Sequence, residues 1–110
     1  TPHLLPTKRG ILSTIYAATE ASAEQIKEAY EVYSGEPFVH VIDSLPEIKH
    51  VAGSNNCVIG FVLDERTGRI IIVSCIDNLV KGAAGQAVQC ANLMLGLDEQ
   101  AGLPILGVTP

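Results

Sequence analysis

Three short stretches of this sequence carry side chains of a type and spacing suited to holding an anion or a polar ligand. Lys8 and Arg9 stand directly before Gly10 and an apolar run. Two cations beside a residue without a side chain can bring charge and backbone close to a phosphate or carboxylate, and a guanidinium fork suits two oxygens. Taken by itself, the pair reads more readily as a solvated basic pair at a strand start. Ser54 and Asn55 follow Gly53; they can meet a polar ligand, or bond their own backbone in a turn. Asn78, Lys81 and Gly82 lead into Ala83, Ala84 and Gly85. A polar loop at a helix start, with unpaired amides and a lysine, can face a negative or polar group, and the small residues let backbone approach a neighbour closely. The plainer reading is a capped helix packed tightly on a neighbouring domain.

The usual nucleophiles and metal ligands are less informative. Cys57, Cys75 and Cys90 form no CxxC pair and are odd in number, which argues against a disulfide framework and against a zinc site. The first two fall in strand-like runs and the third in an apolar helical run, so all three read as buried structural thiols. His40 and His50 have no partner at ligand spacing and read as ordinary strand and loop residues, while His3 reads as a neighbour of a site or a loop residue. No metal site is expected.

The elements that must position these residues follow from local pattern. Ile11, Leu12, Ile15 and Tyr16 among small and hydroxyl residues predict a strand over residues 10–18. Ser22 followed by Gln25 has capping-box spacing, and Ile26, Ala29, Tyr30 and Tyr33 recur on one helical face, predicting a helix that ends by Gly35. Phe38 to Ile42 predicts a short strand, followed by a loop after Pro46 with an edge strand at His50 to Ala52. Cys57–Leu63 and Arg69–Ile76, joined by Asp64-Glu-Arg-Thr-Gly68, predict an antiparallel hairpin. Its nearly continuous apolar runs imply cover on both faces, one supplied by helices and the other by protein outside this core, such as a second subunit. From Val80 to Leu95 the pattern is helical, capped by Gly96, and Lys81 is the sole charge between Leu79 and Leu97. That implies burial on nearly every side.

With 110 residues the chain suffices for one modest core. Twelve acidic against seven basic side chains, a net charge of −5, make nucleic acid an unsuitable partner. Although 47% of residues are hydrophobic, polar residues interrupt every apolar run. None reaches the ~18 residues a membrane span needs. The sequence opens without Met or a targeting leader, and is expected to be one part of a longer chain.

Four blocks together are similar to the N-acetyl-gamma-glutamyl-phosphate reductase family: Pro2-His-Leu-Leu-Pro-Thr-Lys-Arg-Gly-Ile-Leu-Ser-Thr14, Gly53-Ser-Asn55, Asp64-Glu-Arg-Thr-Gly-Arg69 and Ile76-Asp-Asn-Leu-Val-Lys-Gly-Ala-Ala-Gly-Gln-Ala-Val-Gln89. The likeness covers essentially the whole chain. Aspartate-semialdehyde dehydrogenases share a looser form of the last block and lack the Lys-Arg-Gly-Ile-Leu-Ser-Thr run. The resemblance implies an α+β fold like the C-terminal domain of glyceraldehyde-3-phosphate dehydrogenase, a mainly antiparallel sheet with helices on one face. It implies residues 1–78 as a substrate-side and dimerisation domain, and residues 79–110 as a helix and tail that pack back on a Rossmann domain outside this sequence.

The chemistry so implied is an NADPH-dependent reduction in arginine biosynthesis: a cysteine thiolate displaces phosphate from an acyl phosphate, and hydride reduces the thioester to a semialdehyde. No catalytic residue is expected within the chain, because the nucleophilic cysteine and catalytic histidine belong upstream of Thr1. No glycine-rich nucleotide loop is present, so NADP(H) is expected to be held mainly by the Rossmann domain. Asn78, Lys81 and Gly82 are the expected cofactor contacts. Lys8, Arg9, Ser54 and Asn55 are the expected substrate contacts. The further expectations are a homo-oligomer, dimer or tetramer, in the cytoplasm or an organelle stroma, and inactivity of this piece alone. Rival readings are aspartate-semialdehyde dehydrogenase, N-acetyl-aminoadipyl phosphate reductase, and a non-catalytic oligomerisation module.

Overall fold

A computed structural model describes residues 4–107. The β-branched runs fold as a four-stranded mixed sheet. Strand β1 is Ile11–Ala18, β2 is Val39–Ile42, β3 is Cys57–Asp64 and β4 is Arg69–Ile76, in the order β1-β4-β3-β2. β1 and β3 flank β4 antiparallel, with Ile11 and Cys57 both opposite Ile76, and β2 joins β3 in parallel. The β3–β4 hairpin turns at Gly68, whose φ of +61° is accessible to glycine without strain.

Side-chain alternation divides the sheet into two faces. On one, Val58, Val73 and Cys75 pack with Val51 and the partly buried Ile42 as the hydrophobic core. The loop after β2 covers this face so closely that a Cβ at Gly60 would collide with the Ser44 carbonyl. On the other, Phe61 stacks on Tyr30 at 5.7 Å between ring centroids, which seats helix α1, Ala23–Tyr30. The turn around Gly82 reaches the same face near Ile76 and Ile11. Both helical segments thus contact one face of the sheet.

Helix α1 starts where its cap dictates: Ser22 accepts from the Gln25 amide and the Gln25 side chain accepts from the Ser22 amide. It tightens into a 3-10 turn, Glu31–Tyr33, before Gly35. The predicted edge strand at His50 to Ala52 is instead part of a 3-10 turn, Ile48–His50, and the bend after it. The Glu47 amide donates to His50 Nδ1 there, so the backbone closes on itself and offers no edge to pair. The last helical run opens as a π-helical turn, Val80–Ala84, and continues as α2, Gly85–Met94. Gly96 at φ +67° ends it, with the Leu97 amide donating to the Asn92 carbonyl.

The expectation of a helix buried all round does not hold within this chain. Along α2 only Gly85 and Asn92 are buried, and Val88, Leu93, Met94 and Leu95 are exposed. Apolarity predicts that something covers a helix, and it cannot say that the same stretch of chain does so. Cys90 is accordingly exposed, Cys57 is half-buried, and of the three only Cys75 is the buried thiol expected. Burial raises the Cys75 thiol above its ordinary value, with the nearby Cys57 adding to the effect.

Candidate functional site

The ends of β1 and β4 lie together because of their register, and the residues beyond those ends form the candidate site. Asp77 follows β4 and is fully buried. Its Oδ1 accepts from the Leu79 and Val80 amides at 2.8 and 3.0 Å, the pattern of a helix cap, and so fixes the start of the π turn. Its Oδ2 accepts from the Gly53 amide at 2.7 Å. Arg9 completes the shell: Nη2 donates to Oδ1 at 3.1 Å, and Nε lies 3.0 Å from Oδ2 as a charge contact without hydrogen-bond alignment. Burial pushes the Asp77 carboxyl upward, but the Gly53 and Leu79 amides, the Arg9 guanidinium and the Val80 amide together outweigh it and hold the group below the ordinary carboxylate value.

Asn78 makes the next link, its Oδ1 accepting from the Gly10 amide at 2.7 Å. Among the described residues its amide nitrogen makes no hydrogen bond, and the residue is half-buried. Lys81 sits 5.6 Å from the centre of the buried Phe38 ring and donates to Gln89 Oε1 at 2.6 Å. Gln89 Oε1 also accepts from Asn55 Nδ2 at 2.9 Å, while its own amide nitrogen donates to Glu99. Gly82 donates to the Asp77 carbonyl at 2.8 Å, the five-residue spacing of a π turn, and a Cβ there would lie 3.3 Å from that same carbonyl. Single π turns of this kind recur at functional sites.

The predicted residues therefore come together in part. Arg9 joins Asn78 and Gly82 around Asp77, and Lys81 joins Asn55 through Gln89. Lys8 is exposed beside Arg9. Ser54 and Asn55 are both fully buried within this chain and are bonded within their loop. The Ser54 hydroxyl donates to the Val51 carbonyl and accepts from the Asn56 amide, and the Asn55 amide donates to the Pro104 carbonyl. Their alternative role, a turn bonded to itself, is the one their geometry supports. His40 and His50 are exposed, His40 beside Asn56 and His50 in its own turn. His3 lies outside the described residues. Among those residues no group of His, Cys, Asp or Glu is arranged to hold a metal, and no helix is long and apolar enough to cross a membrane.

Asp77 and Gln89 are the residues that pattern reading missed. Asp77 did carry a signal, a carboxylate two and three positions before a helix start, which is capping spacing. Gln89 carried no signal of its own, as one uncharged polar residue in an apolar helical run. Of two open surface grooves, the one of about 460 Å³ between α1 and β2 holds none of the predicted residues. The larger, about 1050 Å³ beside β1, includes Gly10.

Comparison with known proteins agrees with this architecture. The whole chain aligns with N-acetyl-gamma-glutamyl-phosphate reductases of Pelotomaculum thermopropionicum at 56% identity, of Geobacter sp. at 57% and of Moorella thermoacetica at 51%. In each case it covers 100% of this chain and 33% of the relative, so the chain spans about a third of the length of these curated relatives. Residues 1–78 match the family model described as the semialdehyde dehydrogenase dimerisation domain. With that match covering β1 to β4 and the Asp77 site at their end, the chain belongs to the semialdehyde dehydrogenase dimerisation-domain family.

Proposed function

We propose that the protein carrying this chain is an NADPH-dependent N-acetyl-gamma-glutamyl-phosphate reductase of arginine biosynthesis, and that the chain is its substrate-side and subunit-contact part. The observation that carries the reading is the junction at Asp77, where the Lys8–Arg9 pair meets the Asn78–Gly82 turn. An anion-binding fork and a polar turn at one junction suit an enzyme that must hold an acyl phosphate against a nicotinamide. The names of the relatives that align over the whole chain support the choice of acid.

Within that reading, Lys8 and Arg9 hold the substrate's anionic groups. The Asn78 amide nitrogen, Lys81 and the backbone at Gly82 hold the nicotinamide end of the cofactor. The residues fit such a group: Asn78 has a donor to offer, Lys81 is half-buried with two of its three N–H donors beyond the Gln89 bond, and Gly82 presents no side chain. The bound dinucleotide supplies the hydride. The chain's own residues orient both partners and narrow the approach of water. Its nucleotide phosphates are held elsewhere, by a Rossmann domain against which the exposed Val88, Leu93, Met94 and Leu95 of residues 79–110 pack. Residues 1–78 then form a separate substrate-side layer that assembles as a homo-oligomer in a reducing, cytoplasmic setting. Uncovered side chains such as Tyr16 and Val62 on the sheet are consistent with that assembly.

The test is NADPH oxidation by the full-length protein with N-acetyl-glutamyl phosphate, aspartyl phosphate and N-acetyl-aminoadipyl phosphate in parallel. The reading expects the first to be preferred, and no turnover by residues 1–110 alone. Preference for either other acid replaces the substrate while keeping the chemistry, and no turnover of any overturns the reading.

A further inference from the structure

We propose that Asp77 is a positioning residue: it holds the Arg9 guanidinium by one edge and thereby aims the opposite edge at the anionic group of the acyl phosphate. The proposal deepens the reductase reading and rests on it.

The asymmetry of the pair carries the argument. Asp77 is fully buried, whereas 39% of the Arg9 side chain is exposed. The edge of Arg9 formed by Nε and Nη2 faces the carboxylate. Among the described residues Nη1 makes no hydrogen bond, so the donors that remain lie on the outer, accessible side. A guanidinium is planar, so fixing one edge fixes the direction of the other.

The carboxylate is itself immobile. Amides from Gly53, Leu79 and Val80 occupy its acceptor positions from two separate segments of the chain. It cannot turn to follow a ligand, and it needs no arginine to cap the π turn, because the amides already do that. What Arg9 gains is an orientation set by the backbone of the turn proposed to face the cofactor. Pairing weakens the field that Arg9 projects, yet leaves its outer donors, and the exposed Lys8 next to it adds a second positive charge.

The experiment is steady-state kinetics on the full-length protein, varying N-acetyl-glutamyl phosphate and NADPH separately. Asp77→Asn should raise KM for the acyl phosphate by ~10-fold and leave KM for NADPH within about twofold. In an Arg9→Gln background the same change should raise KM for the acyl phosphate by less than about twofold more, because the two residues act as one unit. A merely structural Asp77 predicts the reverse pattern: less active enzyme, both KM values unchanged, and effects that add. That pattern overturns the proposal.

Should Asp77→Asn fail to fold, Arg9→Lys decides the matter, since it keeps a cation against the carboxylate. One ammonium cannot face Asp77 and the substrate with two opposed edges, so ~10-fold higher KM for the acyl phosphate is expected, and an unchanged KM overturns the proposal. Wild-type protein that oxidises no NADPH with any acyl phosphate overturns the reductase reading and this proposal together. Active wild type with unaltered variants overturns this proposal alone.

Discussion

Asn78 accepts the Gly10 amide at 2.7 Å, one residue further along each segment than the contact between Asp77 and Arg9. The two links lie just beyond Ile11 and Ile76, where the regular pairing stops, and they cross the antiparallel register, in which Gly10 would face Asp77 and Arg9 would face Asn78. The start of β1 and the exit of β4 are thereby latched, and the latch carries the basic pair to the π turn.

The latch and the proposed cofactor contact use different atoms of Asn78, so they separate on mutation. Asn78→Ala removes the acceptor for Gly10 and should cost about 1 kcal/mol in urea unfolding, besides raising KM for NADPH. Asn78→Asp keeps an acceptor and loses the amide donor. It should stay closer to wild type in stability than the alanine variant, yet show at least the same rise in KM for NADPH. Equal stability of the two variants would show that the Gly10 link contributes nothing.

The acid side of the stability profile should report Asp77. Its folded-state carboxyl lies below the ordinary 3.8 despite burial, because amides and Arg9 favour the charged form. A lowered folded value means that the stabilisation is complete above the unfolded value and is lost as pH falls through the folded one. Urea midpoints measured from about pH 7 down to pH 2.5 should therefore fall more steeply in wild type than in Asp77→Asn below about pH 4. Exposed carboxylates such as Glu24, Asp43 and Glu47 are also lowered, but they are common to both proteins and cancel in the difference. Parallel profiles would contradict the account.

Breaking the pair should also be costly near neutral pH. Asp77→Asn leaves a half-buried guanidinium facing a neutral amide, and a loss of about 2–4 kcal/mol is expected, less than a wholly buried pair because Arg9 reaches solvent. Chemical denaturation at pH 7 checks it, and a loss below about 1 kcal/mol would place the pair among ordinary surface contacts.

Gly85→Ala tests the packing behind the site with an outcome opposite to helix propensity. Alanine is favoured over glycine by about 1 kcal/mol in a helix interior. Here its Cβ would meet the Val80 carbonyl at 2.7 Å and collide with the buried Asn55 side chain. The Asn55 side chain is tied to Gln89 and the Val80 carbonyl accepts the Gly85 amide, so neither moves without straining a bond, and a net loss of about 1–3 kcal/mol is expected. Gly35, where a Cβ meets nothing within 4 Å, serves as the control and should tolerate alanine.

Much of the fold was legible because the signals were local. Ser22 and Gln25 announce α1 from three positions apart, and the β3–β4 hairpin is written in two β-rich runs around one glycine turn. The site was legible only by its ligand-like residues, since what assembles them is remote: Asp77 finds Gly53 and Arg9 at separations of 24 and 68 residues. The π turn shares its apolar pattern with an α-helix and differs only in which carbonyl each amide meets, so the pattern could not reveal it. At Ser54 and Asn55 the sequence left a ligand contact and a self-bonded turn open, because polar residues after a glycine look the same in both cases. Cys90 was misread for the converse reason, since an apolar helix can await its cover from elsewhere.

The most direct test of the central claim, that the Asn78–Gly82 turn and the Arg9 edge flank one reaction site, is a crystal structure of the full-length protein with NADP+ bound. The account predicts the nicotinamide carboxamide within hydrogen-bond reach, about 3 Å, of Asn78 or Lys81, with the outer edge of Arg9 facing the same pocket. A nicotinamide lying more than about 10 Å from all three residues, far beyond hydrogen-bond reach, would contradict it.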